Sequence, residues 1–295
     1  MNNPTSLRCG DYVTNRLVLS AEGEPVSFYA LRITLYALYF LYSSQEKPMN
    51  ILVTNDDGYG APGLLILKQA LEKIGTVAVV APDQNWSAGG HVKTLHKPLR
   101  LSAVQLADGS EAYASSGAPS DCVALALLGA IDFKPDLIVS GINPFPNLAH
   151  DITYSGTVTA AMEGALSGIP SIAVSVEDSS AYEQAASFAV TLAPIVFDRG
   201  LPRDTLLNVN VPQGDIKGVQ LTRTGQRIYN DKLDARVDPR GRPYYWIGGE
   251  VPTGIPDNGT DVGALHNGYI SITPIQMDMT AYQFMDTLKT WQIHG

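Results

Sequence analysis

The sequence predicts an α/β protein: a three-layer Rossmann-like sandwich with a mainly parallel sheet, followed by a C-terminal β-hairpin or arm and a terminal helix. Three observations predict it. Short runs at residues 51–55, 77–81, 136–140 and 172–176 are predominantly apolar without polar alternation, as strands buried on both faces are. Stretches with apolar residues at helical spacing separate these runs, the alternation of βαβ units. After about Asn208 the pattern changes to further strands joined by segments rich in Gly, Pro and Asp.

The elements follow in order. After the first strand, Pro62 suits the first turn of a helix, Leu64, Leu67, Leu71 and Ile74 recur at helical spacing, and Gly75 is a natural stop. Residues 119–129 read as a helix with Val123, Ala126 and Leu127 on one face. A helix over 158–166 is ended by Gly168, and 182–197 forms another with Phe188, Leu192 and Ile195 in register. Residues 207–211, 219–224, 244–247 and 269–274 read as strands. The run Asp238-Pro-Arg-Gly-Arg-Pro243 is a turn-rich lead into Tyr244-Tyr-Trp-Ile247, which predicts an extended hairpin rather than another βαβ unit. Thr280 with Gln283 predicts a capping box for a last helix whose face carries Phe284, Leu288 and Trp291. The domain division expected is an extension at 1–48 and one domain at 49–295, with a core at 49–205 and C-terminal strands, arm and helix at 206–295.

Composition narrows the function classes. The chain has 295 residues and a formal net charge of −9, so a duplex nucleic-acid binder is disfavoured. A phosphate site on such a chain has to overcome negative potential, and a bound cation is the simplest device. The cysteines are Cys9 and Cys122, with no CxxC or Cys/His cluster, which argues against structural zinc and a disulfide framework. Cys122 lies in an apolar run and reads as a buried structural thiol. This usage fits a reducing cytoplasm, the compartment expected. The apolar stretch 28–42 is shorter than a membrane-spanning helix and is interrupted by Arg32, so no membrane association is expected. Because Pro48 and Met49 precede the first clean strand, we expect residues 1–48 to be poorly ordered or a mis-assigned start, with a helix packed on the domain as the alternative.

In doubly wound sheets, ligands sit beyond the carboxyl ends of the strands. The first strand ends in Asn55-Asp56-Asp57-Gly58. Adjacent carboxylates repel unless a cation or solvent sits between them, and a hard divalent ion takes such oxygens together with substrate phosphate. An Asx turn is the plain alternative for this tetrapeptide alone. The second strand leads into a flexible loop over 81–91 that contains Ser87, a neutral oxygen donor. The strand at 136–140 leads to Asn143, an amide oxygen at the same edge. Ser155, Gly156 and Thr157 open a helix. Ser155 or Thr157 can cap it, and its free N–H groups can receive an anion. Each piece alone has an ordinary structural explanation. Their convergence at carboxyl ends of one sheet points to a metal-assisted phosphate site.

A rival reading rests on Gly58-Tyr-Gly60-Ala-Pro-Gly63, a literal GxGxxG, with Asp83 20 residues beyond Gly63. It predicts an NAD-dependent oxidoreductase. Against it, three residues separate the strand from the first glycine, two carboxylates would face the pyrophosphate, and Pro62 occupies the middle of the fingerprint.

Read together, the motifs MNILVTNDDG (49–58), APDQNWSAGGH (81–91), SGAPSDCV (116–123), SGIN (140–143) with Asn147-Leu148, YSGTVTAAMEGA (154–165), DPRGRPYYWIG (238–248) and GYISITPI (268–275) resemble the SurE (survival protein E) family of 5'/3'-nucleotidases. The resemblance covers the chain from Met49 to the C-terminus and is specific, since several long motifs occur in one order. It implies a Rossmann-like sandwich, a C-terminal arm that takes part in oligomerisation, here a homodimer or homotetramer, and hydrolysis of nucleoside 5'- and 3'-monophosphates. It also implies one divalent cation, Mg²⁺ or Mn²⁺, held by Asp56, Asp57, Ser87 and Asn143. Asp56 is then expected to orient or deprotonate the attacking water, Asp57 to be a firm ligand, Asn55 to hydrogen-bond the phosphate, and Ser155, Gly156 and Thr157 to receive it. The chain departs from the family after SGIN: Phe145, between Pro144 and Pro146, and Ala149 stand where glycine is common. A nucleotide-binding protein that has lost turnover is the reading this departure suggests.

Overall fold

A computed structural model describes residues 49–250, 252–291 and 293. The segment 1–48 lies outside the described residues, and with it the expectations on Cys9, the 28–42 stretch and the order of that extension. Among the described residues, no helix is long and apolar enough to cross a membrane.

The strands are β1 (Met49–Thr54), β2 (Gly75–Pro82), β3 (Leu101–Gln105), β4 (Glu111–Ser115), β5 (Leu137–Asn143), β6 (Ser171–Val176), β7 (Thr205–Val211), β8 (Val219–Leu221), β9 (Gln226–Ile228), β10 (Asp231–Val237), β11 (Pro243–Gly249), β12 (Thr253–Ile255) and β13 (Ile270–Gln276). The helices are α1 (Pro62–Leu71), α2 (Pro119–Leu127), α3 (Gly156–Leu166), α4 (Tyr182–Arg199), α5 (Asp261–His266) and α6 (Tyr282–Thr290). Nine of the described strands form one sheet in the order β3-β4-β2-β1-β5-β6-β7-β13-β8. From β4 to β7 all neighbours are parallel, while β3 and β13 run antiparallel to β4 and β7. This is the expected three-layer sandwich.

Alternation along each strand supplies both layers, because successive side chains point to opposite faces. Ile51 and Val53 of β1 pack with Leu64, Leu67 and Ala185 under α1 and α4, while Leu52 packs with Cys122, Val123 and Ala160 under α2 and α3. Sequential strands run from β1 to β2 on one side and from β5 onward on the other. The order therefore reverses between β1 and β5, where a doubly wound sheet opens a crevice beyond its carboxyl ends.

Several local expectations are corrected. α1 ends at Leu71, and Gly75 opens β2 rather than capping the helix. A Cβ on Gly75 would meet the Met49 carbonyl oxygen at 2.3 Å, so the glycine permits close approach to β1. The hairpin β3–β4 was not expected, since its Ala- and Ser-containing strands lack a strong apolar pattern. Ile195 points outward on α4, 48% exposed, while Leu192 is buried. The capping box at Thr280 does not form: Ala281 is the N-cap of α6 with no side-chain bond, and Thr280 N–H donates to Asp278 Oδ1 at 2.9 Å. No residue of α6 is buried, and Phe284 and Trp291 meet edge to face with ring centroids 5.7 Å apart.

The predicted hairpin is present. β10 and β11 pair antiparallel in register from Asp231↔Gly249 to Val237↔Pro243, with every residue exposed. Asp238 Oδ1 closes the turn by accepting from Arg240 N–H at 2.8 Å and Arg242 N–H at 2.9 Å.

Candidate active site

The loops after β1, β2 and β5 and the start of α3 meet at the switch point. The Asn55 amide closes the NDDG turn: Nδ2 donates to the Gly58 carbonyl at 2.9 Å, and Oδ1 accepts from Gly58 N–H at 3.2 Å. Gly58 has φ +102°, a conformation glycine adopts without a Cβ clash. Asn55 is wholly buried, so its amide shapes the carboxylate loop from within.

Asp56 is buried at 4% exposure. Its Oδ1 accepts the hydroxyl proton of Thr157, and the backbone N–H groups of Gly156 and Thr157 also favour its charged form. Burial outweighs these donors and holds its pKa above the usual carboxylate range. A Cβ on Gly156 would lie 2.5 Å from Asp56 Cβ, so glycine at the helix start is what lets the carboxylate approach. The first turn of α3, read from sequence as an anion receptor, thus lies against the Asp56 carboxylate. Ser155 is the N-cap, its Oγ accepting from Val158 N–H at 3.1 Å, with the hydroxyl proton still available to a ligand.

Asp57 is half-buried, and its pKa is raised to about 6 by burial first and then by the charge of Asp56. Burial thus disfavours the charged form of both neighbouring carboxylates. Asn85 Nδ2 lies 3.5 Å from Asp57 Oδ1, a marginal contact.

The second loop is docked onto the first. Trp86 N–H donates to the Asp56 carbonyl at 2.8 Å, which puts exposed Ser87 one residue from that anchor. Ser87 N–H donates to Asn85 Oδ1 at 2.7 Å. Gly90 N–H donates to the Tyr154 carbonyl at 2.9 Å, and Thr159 Oγ1 donates to the Gly90 carbonyl at 3.1 Å, so the loop is stitched to α3. Further along, Glu163 of α3 takes Lys93 at 3.0 Å and His91 at 3.2 Å, and these partners lower its pKa.

Asn143 ends β5 three residues beyond Ser140, the register partner of Thr54, and Asp57 is likewise three residues beyond Thr54. Its Nδ2 donates to the Phe145 carbonyl at 2.5 Å, which leaves Oδ1 free to accept or ligate. Pro144 and Asp57 line the same cleft, of about 510 Å³, with Tyr59, Asp83 and Tyr182. That volume is in the range of small-molecule sites.

The departures from the family pattern now have a structural account. Phe145 points outward at 71% exposure and does not adopt a positive φ. Ala149 has φ +51°, where glycine would be relaxed, and is held there by Asp261, whose Oδ2 accepts its N–H at 2.8 Å. Between them, Asn147 anchors the loop on the sheet: its N–H donates to Asn210 Oδ1 at 2.8 Å, its Nδ2 to Ser175 Oγ at 2.8 Å, and its carbonyl accepts from Asn208 Nδ2 at 2.9 Å. Sequence reasoning missed this network. The signal was there, since Asn208 and Asn210 are polar residues two apart in a strand that is apolar elsewhere from Leu206 to Val211.

Among the described residues, no group of three or more His, Cys, Asp or Glu could hold a metal ion. A cage of charged donors is thus excluded there, whereas two carboxylates plus neutral hydroxyl and amide oxygens remain a donor set suited to Mg²⁺ or Mn²⁺. The GxGxxG glycines act as loop and packing residues. A Cβ on Gly63 would meet the Ile142 carbonyl at 2.3 Å, so this residue brings α1 against β5.

Comparison with known proteins agrees with this arrangement. The profile of the family described as Survival protein SurE matches residues 51–231. The chain belongs to the SurE family. A SurE relative named 5'-nucleotidase SurE, from Herpetosiphon aurantiacus, is 56% identical over 249 residues, covering 82% of this chain and 98% of its own. Another of that name, from Chloroflexus aggregans, is 51% identical over 83% of this chain and 99% of its own. The crystal structure of the SurE protein from Aquifex aeolicus superposes with a TM-score of 0.69 at 41% identity, covering 82% of this chain and 99% of that one.

Proposed function

We propose that this SurE-family chain is a metal-assisted phosphomonoesterase that hydrolyses nucleoside 5'- and 3'-monophosphates to nucleoside and phosphate. One observation carries the reading: Asp56 and Asp57 stand adjacent beyond the carboxyl end of β1 at the sheet's switch point, where the loop bearing Ser87 is docked on them through Trp86 N–H and the Asp56 carbonyl at 2.8 Å. The shared name of the relatives from Herpetosiphon and Chloroflexus, 5'-nucleotidase, supports the direction. It disfavours the nicotinamide alternative.

Asp56, Asp57, Ser87 and Asn143 would hold one Mg²⁺ or Mn²⁺, all through oxygen. When bound, such a cation neutralises the phosphate and lowers the pKa of coordinated water. Asp56, kept in place by Thr157 and Gly156, orients the attacking water and takes its proton. Asp57 is the firm ligand. Asn55 acts through the turn it closes, and Ser155 offers its hydroxyl proton to a phosphate oxygen beside the N–H groups of Gly156 and Thr157. The exposed β10–β11 hairpin, bearing Leu233, Tyr245, Trp246 and Ile247, supports assembly of the chain as a homodimer or homotetramer.

The test is phosphate release from nucleoside monophosphates with Mg²⁺ or Mn²⁺, with and without chelator. Chelation abolishes release, and Asp57→Asn lowers kcat/KM by at least about 100-fold with an unchanged fold, about 2.7 kcal/mol of transition-state stabilisation. Wild-type rates in that variant, or activity indifferent to chelator, overturn the reading. Nucleotide binding with no turnover under all conditions points instead to a binding protein.

A further inference from the structure

The cleft beside Asp57 continues past the carboxylate pair. A second groove, on the edge hairpin β3–β4, shares Tyr59 and Asp83 with it and runs on over Ser102 and Val104 to Arg100 and Ser116. The two grooves thus adjoin at Tyr59 and Asp83. Together they span from the tip of β1 across β2 to the carboxyl end of β4, two strand spacings or roughly 10 Å. That is comparable to the reach from phosphate to base in a mononucleotide.

Three side chains give the far end its chemistry. Tyr59 is a fixed wall: its N–H donates to the Pro82 carbonyl at 2.9 Å, and its side chain packs against the core under α1. Arg100 is pinned by its backbone, its N–H donating to Ser116 Oγ at 3.0 Å and its carbonyl accepting from Ser116 N–H at 3.0 Å. Among the described residues its guanidinium has no ion pair or hydrogen-bond partner. Asp83 is fixed in the same way, its N–H donating to the Ser115 carbonyl at 2.8 Å, and among the described residues its carboxylate is also unpartnered. An aromatic wall, a two-pronged donor and a two-oxygen acceptor therefore line one groove without neutralising each other.

A ligand that satisfies all three needs a flat π-face, a pair of acceptors for the guanidinium and a pair of donors for the carboxylate. Guanine presents O6 and N7 as acceptors and N1–H and N2–H₂ as adjacent donors. Adenine turns the N1 lone pair toward a carboxylate and the N6 amino group toward a guanidinium, both repulsive. Cytosine offers O2 and N3 as an acceptor pair but only its N4 amino group as a donor, so it cannot satisfy both the guanidinium and the two carboxylate oxygens. We infer that Tyr59, Asp83 and Arg100 read the base of the substrate and select guanine nucleotides. The inference rests on the nucleotidase reading above for the position of the phosphate, and its own claim is the identity of the base.

The test compares kcat/KM for guanosine and cytidine 5'-monophosphate in wild type, Arg100→Ala and Asp83→Asn, with p-nitrophenyl phosphate as a substrate without a base. The wild type favours the guanine nucleotide by at least about tenfold, and each variant lowers that ratio by about tenfold, the effect of losing one bidentate contact. Arg100 is exposed, so its truncation leaves folding intact. A wild-type ratio near one, or a ratio unchanged in Arg100→Ala, overturns the inference while phosphate release stands. If no phosphomonoester is hydrolysed at all, the nucleotidase reading fails, and titration calorimetry with guanosine and cytidine decides the base site. Guanosine binding lost in Arg100→Ala supports it, and equal or absent binding of the two nucleosides overturns it.

Discussion

Replacing Thr157 by valine isolates the contact that makes Asp56 usable. Thr157 is fully buried, and its hydroxyl donates to Oδ1 of a carboxylate that is itself 4% exposed. Valine keeps the shape, removes the donor and puts a wider methyl group against the carboxylate oxygen. A hydrogen bond to a charged group contributes about 1.5–3 kcal/mol, and an unsatisfied buried acceptor costs a similar amount. A loss of about 2 kcal/mol follows, which for a domain of this size lowers the melting temperature by about 4–8 °C. The assay is calorimetric unfolding at neutral pH with chelator present, so that cation affinity does not mask the effect. Thr157→Ser restores most of the loss, because it returns the hydroxyl. The reasoning fails if the valine variant unfolds within about 0.5 kcal/mol of wild type, or if serine is no better than valine.

Three further outcomes follow from the same geometry. Gly156→Ala puts a methyl group 2.5 Å from Asp56 Cβ, and it should cost about 1–3 kcal/mol of stability and on the order of 100-fold in kcat, read by melting and by steady-state rates. Ala149→Gly relieves a left-handed alanine at φ +51° and should raise stability by about 0.5–1 kcal/mol in urea unfolding, after the added freedom of the unfolded chain is deducted. Glu163, whose pKa is lowered by His91 and Lys93, contributes stability that is present above its unfolded value, near pH ~4.3, and lost as pH falls through the lower folded value. Glu163→Gln should therefore be less stable than wild type by about 1–2 kcal/mol at pH 7, with the difference closing in acid denaturation profiles below pH ~4.

The sequence by itself determined the sandwich, because predominantly apolar strands alternating with helical spacing have few other ways to bury both faces. It also located Asp56, Asp57, Ser87 and Asn143 at the loops that a doubly wound sheet opens at its carboxyl ends, since that rule depends only on topology. The arm was readable from the turn residues at 238–243. Tertiary structure decided what local pattern cannot encode. How closely the start of α3 approaches Asp56 depends on packing at Gly156 between elements about 100 residues apart. The loop after β5 is held by Asn208, Asn210 and Asp261, whose partners lie 61–112 residues away, and no spacing rule reaches that far. The edge hairpin β3–β4, with its groove and Arg100, rests on weak strand-formers that gain order only by pairing beside β2. Hydrophobic periodicity reports which face of an element is buried, whereas the partner it is buried against is set by the assembled sheet.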